Sequence, residues 1–371
     1  MSMGKRKTDR VVATLFVTFI TLAFTGCMSN SYFCGDLVNV DDINKYTKAK
    51  AEVIPIDSVH SPILAVADSF VMFYNYLPSD EGYSYDFYSL KSGKYVCGLF
   101  PIGHGAGEFV VIAPIKQIYE ENGEKKALIF APNELTMAIC NLTKSQQKKK
   151  TVYEKQVKYT EKSRPDRHYS RVFQMDKDRF AAYIASEHVP GTHLIKPSEY
   201  QVLSFSTGKI LDRIQVIDAM QESEKSVVPT ESFFSASYGI KPDRTKIVES
   251  LLYVPQINII NLKNKEVKGF LVKGGPDYTV FDTDMNKAKV CFPRAVCDDK
   301  HIFALWSGRP DERKDHEWSE LYVFNWKGKL EGKVKLSHAI KEMFLDAEHG
   351  ILYGSNEDKK EIYAYKVNDF F

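Results

Sequence analysis

The sequence predicts an all-β protein, a six-bladed β-propeller of four-stranded antiparallel blades. Apolar runs of strand length recur along the chain, and a long, uncapped helical pattern is hard to find. Tyr and Phe are abundant, at 21 and 23 residues, and such aromatic residues favour strands because they pack well on a pleated surface. A pair of β-sandwiches is the alternative architecture, which the repeated order of the strands disfavours.

The chain begins with a predicted signal peptide, residues 1–26. Basic residues, among them Lys5, Arg6 and Arg10, precede an uncharged and mostly apolar run at 11–24. This run is shorter than the roughly 20 residues that a membrane-spanning helix needs. Its length and basic flank are typical of the apolar region of a signal peptide.

The predicted signal peptide is followed by Cys27, within Leu22-Ala-Phe-Thr-Gly-Cys27. Small residues before a cysteine resemble the bacterial lipobox, although Phe24 stands where Leu is usual. We therefore expect Cys27 to be the lipidated first residue of the mature protein, anchored to the membrane without a transmembrane helix. An ordinary signal peptide cut near Gly26, or a buried helix, is the alternative.

The residues after Cys27 bear on localisation and domain organisation. No Asp follows the cysteine, and no acidic cluster follows it either. By resemblance to known lipoproteins, this predicts an outer-membrane protein of the cell envelope facing the periplasm, with exposure at the cell surface left open. We expect residues 27–47 to form a lipid-anchored linker and residues 48–371 to form the propeller.

The charge balance argues against a nucleic-acid partner. The whole chain holds 50 basic and 48 acidic residues, and the signal peptide removes more basic than acidic ones. A nucleic-acid binder needs a basic surplus to displace counterions from phosphate. The locally basic run at 144–162 is interpreted as a solvated loop or an exposed strand pair.

The cysteines and histidines do not form a recognisable reactive motif. Five cysteines follow Cys27, no two are spaced as C-x-x-C, and we interpret them as small, buried, apolar residues. The nine histidines are scattered, without the i, i+4 spacing of a helical zinc site. We therefore predict neither a metal site nor a cofactor, and no catalytic residue can be named.

A four-strand pattern recurs six times. The clearest copy joins 296–306 to 320–336, where a turn built on Asp298 and Asp299 separates two apolar strands and Lys327-Gly328 forms a hairpin turn. The other copies lie at 65–96, 127–142, 173–214, 251–272 and 344–367. The last copy lacks a fourth strand, and we expect the apolar run at 50–56 to supply it and close the ring.

The stretch 98–109, GLFPIGHGAGEF, looks at first like a phosphate-binding loop. A dinucleotide fingerprint needs a third glycine where Glu108 stands, and a helix must come after it. The residues that come next are instead the strand-like run 109–114, which ends in a proline. We therefore assign Gly103, Gly105 and Gly107 to a structural turn between the first and second blades, where glycine permits positive φ and close backbone approach.

This turn resembles the G-x-G-P-G-E-F turn of the TolB-like six-bladed propeller lipoproteins of Bacteroidales, with Ala106 in place of the usual proline. The stretch 273–278 resembles part of this turn. The blade turns that end in Gly-Lys also fit the resemblance to that family. The resemblance covers the whole mature length and implies six blades on a lipid anchor.

Two functions remain open at this point. The first is a non-catalytic module that binds a protein, peptide or glycan with its loops and channel, since loops on a rigid scaffold commonly carry binding sites. The alternative is a hydrolase or lyase that acts on a sugar or lactone at the central channel. A convergent cluster of Asp, Glu and His there would favour the enzyme, and an aromatic, charge-poor groove would favour binding.

Overall fold

The computed structural model describes residues 32–61, 64–75, 82–160, 169, 171–221, 232, 234–272, 288–310 and 318–371. Within these ranges, six antiparallel β-sheets succeed one another along the chain as the blades of a propeller. The predicted signal peptide, Cys27 and the similar stretch at 273–278 lie outside the described residues.

Three short strands come first along the chain and join the outer edges of later blades. They are β1 (Asp36–Val40), β2 (Tyr46–Ala49) and β3 (Glu52–Ile54).

Blades 1 and 2 each run from an inner to an outer strand. Blade 1 consists of β4 (Leu64–Ala67), β5 (Phe70–Tyr74), β6 (Tyr83–Ser89) and β7 (Tyr95–Pro101). Blade 2 consists of β8 (Ile118–Glu121), β9 (Glu124–Ala131), β10 (Thr136–Asn141) and β11 (Tyr153–Lys158), with the helix α1 (Leu142–Lys148) before its outer strand.

The helix α1 is a difference from the sequence prediction for the basic run at 144–162. The exposed strand is present as β11, but a helix precedes it. It begins at Asn141, whose side chain accepts a hydrogen bond from the Lys144 amide at 2.9 Å. That cap satisfies one of the amide donors that a helix start leaves without an internal partner.

Blades 3 and 4 repeat the pattern, and blade 3 carries an insertion. Blade 3 consists of β12 (Arg171–Gln174), β13 (Arg179–Ile184), β16 (Ser198–Ser204) and β17 (Ile210–Ile217). Its insertion holds β14 (Glu187–His188) and β15 (Leu194–Lys196), which pairs with β18 (Met220–Gln221). Blade 4 consists of β19 (Ala236–Ile240), β20 (Lys246–Leu251), β21 (Gln256–Asn261) and β22 (Val267–Val272).

Blades 5 and 6 end the chain. A two-stranded ribbon of β23 (Lys289–Val290) and β26 (Arg309–Pro310) accompanies blade 5, which consists of β24 (Ala295–Cys297), β25 (His301–Trp306), β27 (Trp318–Asn325) and β28 (Leu330–Ile340). Blade 6 contains β29 (Glu342–Asp346), β30 (Ile351–Asn356) and β31 (Glu361–Lys366). A 3-10 helix, Val367–Phe370, comes after β31.

The ring closes as the sequence predicts. The strand β3 pairs antiparallel with β31, with Ile54 opposite Ile362, and so becomes the fourth strand of blade 6. The strand therefore comes from the predicted run at 50–56. Covering the edge of the last blade removes a row of open backbone groups.

The stretch expected to act as a linker, 27–47, also contributes strands. After a bridge between Phe33 and Ile217 of blade 3, β1 pairs in parallel with β22 of blade 4 and β2 with β28 of blade 5. The N-terminal segment is thus a belt over the outer edges of four consecutive blades. It covers edges that would otherwise be open.

Both faces of the blades are buried, because each blade packs between two others. In β27, Leu321, Tyr322, Val323 and Phe324 are all fully buried. Leu321 and Val323 belong to one apolar cluster, and Tyr322 and Phe324 belong to another. The alternation in the sequence therefore marks two packed faces rather than one packed and one solvated face.

The two ends of the central channel differ. Each inner strand begins at the end that we name the loop-bearing end, where the chain arrives from the outer strand of the preceding blade, as the described connection 102–117 does. Each inner strand ends at the turn-bearing end, where connections such as Asp68-Ser69 are short. Among the described residues, no helix combines the length and apolarity needed to cross a membrane.

Candidate functional site

A cavity of about 260 Å³ occupies the central channel. Its walls come from the inner strands of five blades, β4, β8, β19, β24 and β29, and from the residues that flank them. Several chain segments that are remote in sequence therefore meet at one place. Such a convergence is typical of ligand sites in closed β-architectures.

Five consecutive blades each place one polar or charged residue near the start of the inner strand. We name this set the mouth ring, and it consists of Lys116, Arg171, Tyr238, Arg294 and Glu342 of blades 2 to 6. Lys116, Tyr238 and Glu342 line the cavity itself. Arg171 stands with its guanidinium carbon 5.7 Å from the centroid of the Tyr238 ring, and Arg294 contacts Glu342.

Arg294 and Glu342 form an ion pair between blades 5 and 6. The Arg294 Nε donates to Glu342 Oε2 at 2.9 Å, and Glu342 Oε1 accepts from the Met343 amide at 3.2 Å. The Glu342 side chain is buried, with 7% of it exposed, whereas 35% of the Arg294 side chain is exposed. Groups of the protein itself therefore satisfy the Glu342 carboxylate, whereas part of the Arg294 guanidinium stays accessible to solvent.

Lys116 is the cation of the mouth ring that has no ion-pair partner. Among the described residues, no carboxylate oxygen lies within 4.0 Å of its ammonium. Burial lowers the pKa of Lys116, Glu342 opposes that shift, and Arg294 and Arg171 add to it. Its charged form is therefore disfavoured by lost hydration and by two neighbouring cations.

A cluster of tyrosines adjoins the mouth ring between blades 3 and 4. The Tyr183 ring centroid lies 4.9 Å from that of Tyr238 and 5.1 Å from that of Tyr200. Glu249 is buried behind them and accepts hydrogen bonds from the Tyr200 hydroxyl and from Asn258 Nδ2, each at 2.9 Å. Burial raises the pKa of Glu249, and the two hydrogen bonds oppose that shift.

The cations at the turn-bearing end are partnered. Lys125 pairs with Glu120 at 3.0 Å and also with Glu348. Arg244 lies over the Tyr119 ring, with 4.1 Å between the guanidinium carbon and the ring centroid. The two ends of the channel therefore differ in charge compensation.

Gln117 fixes the position of the segment that carries Lys116. Its side chain accepts from the Gln174 amide at 2.6 Å and donates to the Gln174 carbonyl oxygen at 3.0 Å. This two-point contact resembles a strand-pairing step between the inner strands of blades 2 and 3. Because Gln117 is buried, the contact is shielded from water and holds Lys116 at the channel.

The predicted glycine turn lies at the rim, away from this cavity. Gly107 has φ +81°, and its carbonyl oxygen accepts from the Tyr153 hydroxyl of blade 2 at 3.3 Å. Gly103 and Gly105 do not have positive φ; instead, a Cβ at Gly103 would lie 2.1 Å from Glu108 Oε2. The Gly105 amide donates to the same oxygen at 2.9 Å, so these two glycines make room for a carboxylate of the protein itself.

The cysteines show a mixed outcome. Cys97, Cys140 and Cys291 are buried, as expected of small apolar residues, whereas Cys34 is exposed. All five described cysteines are free thiols. Burial raises the pKa of Cys140 to about 12, which leaves its thiol protonated and unreactive. The described residues contain no group of three or more His, Cys, Asp and Glu side chains arranged to hold a metal ion.

Sequence reasoning missed the mouth ring, although a signal for it exists. The ring residues stand within a few positions of one point in the repeat, the start of each inner strand. An alignment of the six repeats to one another would place Lys116, Arg171, Arg294 and Glu342 almost in one column. Such a column of charged residues at the edge of apolar strands is unexpected for a purely structural position.

The comparisons with known proteins agree with the architecture. The family model described as TolB-like 6-blade propeller-like matches residues 43–348. A member of the DUF4221 family from Bacteroides vulgatus overlays with a TM-score of 0.53 at 12% identity, over 87% of this chain and 97% of that one. At such identity the likeness concerns the fold alone.

A Bacteroides fragilis protein described as exported overlays more loosely, with a TM-score of 0.46 at 10% identity over 89% of this chain and 98% of that one. No curated protein matches the chain in sequence.

Proposed function

The chain belongs to the family of TolB-like six-bladed propellers, and from that premise we propose that it is a lipid-anchored protein of the cell envelope that binds a protein, peptide or glycan without catalysis. The ligand enters at the loop-bearing end of the channel. The observation that carries this proposal is the asymmetry of the channel, because the residues of the mouth ring converge at the loop-bearing end of the inner strands only. Insertions that gather on one face of a repeat protein often form its binding face.

The chemistry of the mouth ring supports binding over hydrolysis or lyase chemistry. Its one carboxylate, Glu342, is held by Arg294 and by a backbone amide, so it is poorly placed to act as a general base. The other acidic side chains that line the cavity, and the ring of His349 beside Asp346, lie at the turn-bearing end, away from the proposed entrance. The aromatic wall expected of a binding groove is present, but the mouth is cationic rather than charge-poor.

Exposed apolar side chains on the described loops add to the proposed face. Val111 in the connection 102–117 is 43% exposed, and Leu194 in the insertion of blade 3 is 39% exposed. Loop residues of this kind commonly contact partners, because a rigid scaffold holds them in place.

The proposed anchor would hold the propeller close to the membrane by its rim. The Asp218 amide donates to the Tyr32 carbonyl oxygen at 2.7 Å, and the Cys34 amide donates to the Val216 carbonyl oxygen at 2.9 Å, which fixes the belt at the outer strand of blade 3. Tyr32 stands five positions after Cys27. A fully extended chain of that length spans roughly 17 Å, so a lipid on Cys27 would bring the rim of blade 3 close to the bilayer surface.

Site-specific photo-crosslinking in the living cell tests the proposed face. A photoreactive amino acid replaces Val111 or Leu194 at the loop-bearing end, or Leu211 on the outer strand of blade 3 as the matched control, since Leu211 is also exposed. We expect a discrete crosslinked species from the first two positions and none from the third. Equal crosslinking at all three positions, or none at the two loop positions, would contradict the proposal.

A further inference from the structure

We propose that the mouth ring binds a carboxylate of the ligand, and that the ammonium of Lys116 supplies the charge that recognises it. The inference rests on the proposed function, because it names the chemical group that enters the loop-bearing end. It concerns one charged group within a cavity of about 260 Å³, lined by Lys116, Tyr238 and Glu342.

The first argument is charge compensation. At the turn-bearing end, Lys125 has two carboxylate partners, Glu120 and Glu348. At the loop-bearing end, Glu342 is shared by Arg294 and the Met343 amide, and within the described ranges Lys116 has no carboxylate within 4.0 Å. Because the Glu342 carboxylate is already held by Arg294 and an amide, an incoming monoanion would supply the carboxylate that Lys116 lacks among the described residues.

The second argument is the cost of the arrangement. A cationic group taken out of water is destabilising unless an anion or several hydrogen-bond acceptors replace the lost hydration. The charged groups around Lys116 are Glu342, Arg294 and Arg171, and burial together with the two arginines lowers its pKa despite Glu342. A site that holds such an amine without a carboxylate of the protein beside it is suited to bind the carboxylate of a ligand.

The third argument is the shape of the donors. Arg294 keeps an accessible part of its guanidinium beside Glu342, and Arg171 lies against the face of the Tyr238 ring. A guanidinium presents its donors in a planar fork that matches the two oxygens of a carboxylate. Lys116 acts beside them as a compact point charge, and its charge fixes the bound group rather than reacting with it.

The volume of the cavity limits what enters. Pockets that enclose whole small molecules commonly measure about 300–1,000 Å³, and the channel cavity is slightly smaller. It therefore accommodates one residue-sized unit, such as an acidic sugar ring or the last residue of a peptide. Tyr238, which lines the cavity, offers that unit part of an aromatic ring.

Calorimetric titration of the mature chain tests the inference. The carboxylate probes are D-glucuronate and N-acetyl-alanyl-alanine, which distinguish a sugar source from a peptide source; D-glucose and the amide of the same peptide are their neutral counterparts, and inorganic phosphate is the competing oxyanion. We expect at least one carboxylate to bind, its neutral counterpart to bind at least tenfold more weakly, and phosphate to bind less well than the carboxylate. Affinity should also fall as the pH rises through the lowered pKa of Lys116.

Two variants assign the effect to Lys116. Lys116→Gln should weaken carboxylate binding about 10- to 100-fold, the range for one charge-assisted hydrogen bond. Lys268→Gln removes the same charge from the outer strand of blade 4, outside the cavity, and should change the affinity less than twofold. Thermal unfolding of both variants establishes that they are folded.

Three results would overturn the inference: binding of neither carboxylate at millimolar concentration, equal binding of the neutral counterparts, or unchanged affinity in Lys116→Gln. These results are separable from failure of the proposed function. If crosslinks form at Val111 and Leu194 but Lys116→Gln does not change the affinity, the proposed binding face is retained. Only the proposed recognition of a carboxylate is then refuted. Absence of both the crosslinks and the titration signal removes both proposals.

Discussion

Replacing Gly328 by Ala should test how tightly neighbouring blades pack. Gly328 lies in the hairpin turn of blade 5 at φ +80°, and a Cβ built there would lie 2.0 Å from two ring atoms of Phe270 in blade 4. The left-handed backbone costs a residue with a Cβ about 1–2 kcal/mol. Forcing a methyl group against a packed ring costs about 1–3 kcal/mol more, so the free energy of unfolding should fall by about 2–5 kcal/mol.

Gly350→Ala is the matched control, because Gly350 has φ +63° and no atom within 4 Å of the added Cβ. Its free energy of unfolding should fall only by the cost of the left-handed backbone, about 1–2 kcal/mol. At about 2 °C per kcal/mol for a protein of this size, differential scanning calorimetry should find the melting temperature of Gly328→Ala about 2–6 °C below that of Gly350→Ala. Adding Phe270→Leu should recover part of the difference. Equal melting temperatures of the two alanine variants would refute the packing argument.

Four further predictions concern the rim turn, the anchor, the belt and the partly buried amine of Lys116. Gly107→Val should lower the melting temperature, because its backbone has positive φ, while His104→Ala, at an exposed side chain, should leave it unchanged. Cys27→Ser should abolish labelling by a fatty-acid probe and release the protein from membranes; unchanged partitioning would contradict lipidation. Deleting residues 28–57 removes β1, β2 and β3 and should produce aggregates in size-exclusion chromatography; a monomer with unaltered thermal stability would argue against the belt. Lys116→Met should raise the free energy of unfolding at neutral pH. The gain should be complete below the lowered folded pKa and vanish as the pH rises through the ordinary lysine pKa near 10.5; a loss would contradict the cost assigned to the buried amine.

The fold was predictable because each blade obeys local rules. In blade 5, Asp298 accepts hydrogen bonds from the amides of Lys300 and His301, which is the turn chemistry read from the sequence. The predicted hairpin at Lys327-Gly328 is present as well, with Gly328 at positive φ. The missing last strand indicated that a remote segment must complete blade 6, and β3 does so.

The belt of the N-terminal segment was harder to foresee. Strand β1 reads Asp36-Leu-Val-Asn-Val40, which is short and carries polar residues at Asp36 and Asn39, as suits an edge strand. Its pairing with β22 is parallel and joins residues more than two hundred positions apart. No local pattern specifies such a partner, so the stretch resembled a linker.

The mouth ring was not predicted because it depends on where the blades meet. Lys116, Arg171 and Arg294 lie in connections or at strand starts, where charged residues usually face solvent. Only closure of the ring turns these positions toward one another around a shared cavity. The glycine spacing at 103–107 suggests a phosphate-binding loop, yet the Gly105 amide donates a hydrogen bond to the Glu108 carboxylate at the rim.

The protonation of Lys116 is the most direct test of the account. Reductive methylation with ¹³C-formaldehyde gives each lysine an NMR signal, and the Lys116→Gln variant assigns the one at the channel. We expect its pKa to lie below that of the ordinary surface lysines in the free protein, because burial disfavours the charge. We also expect D-glucuronate or N-acetyl-alanyl-alanine to raise that pKa, since a bound carboxylate favours the ammonium. An ordinary pKa, or one that neither carboxylate changes, would contradict the assignment of the mouth ring as a carboxylate site.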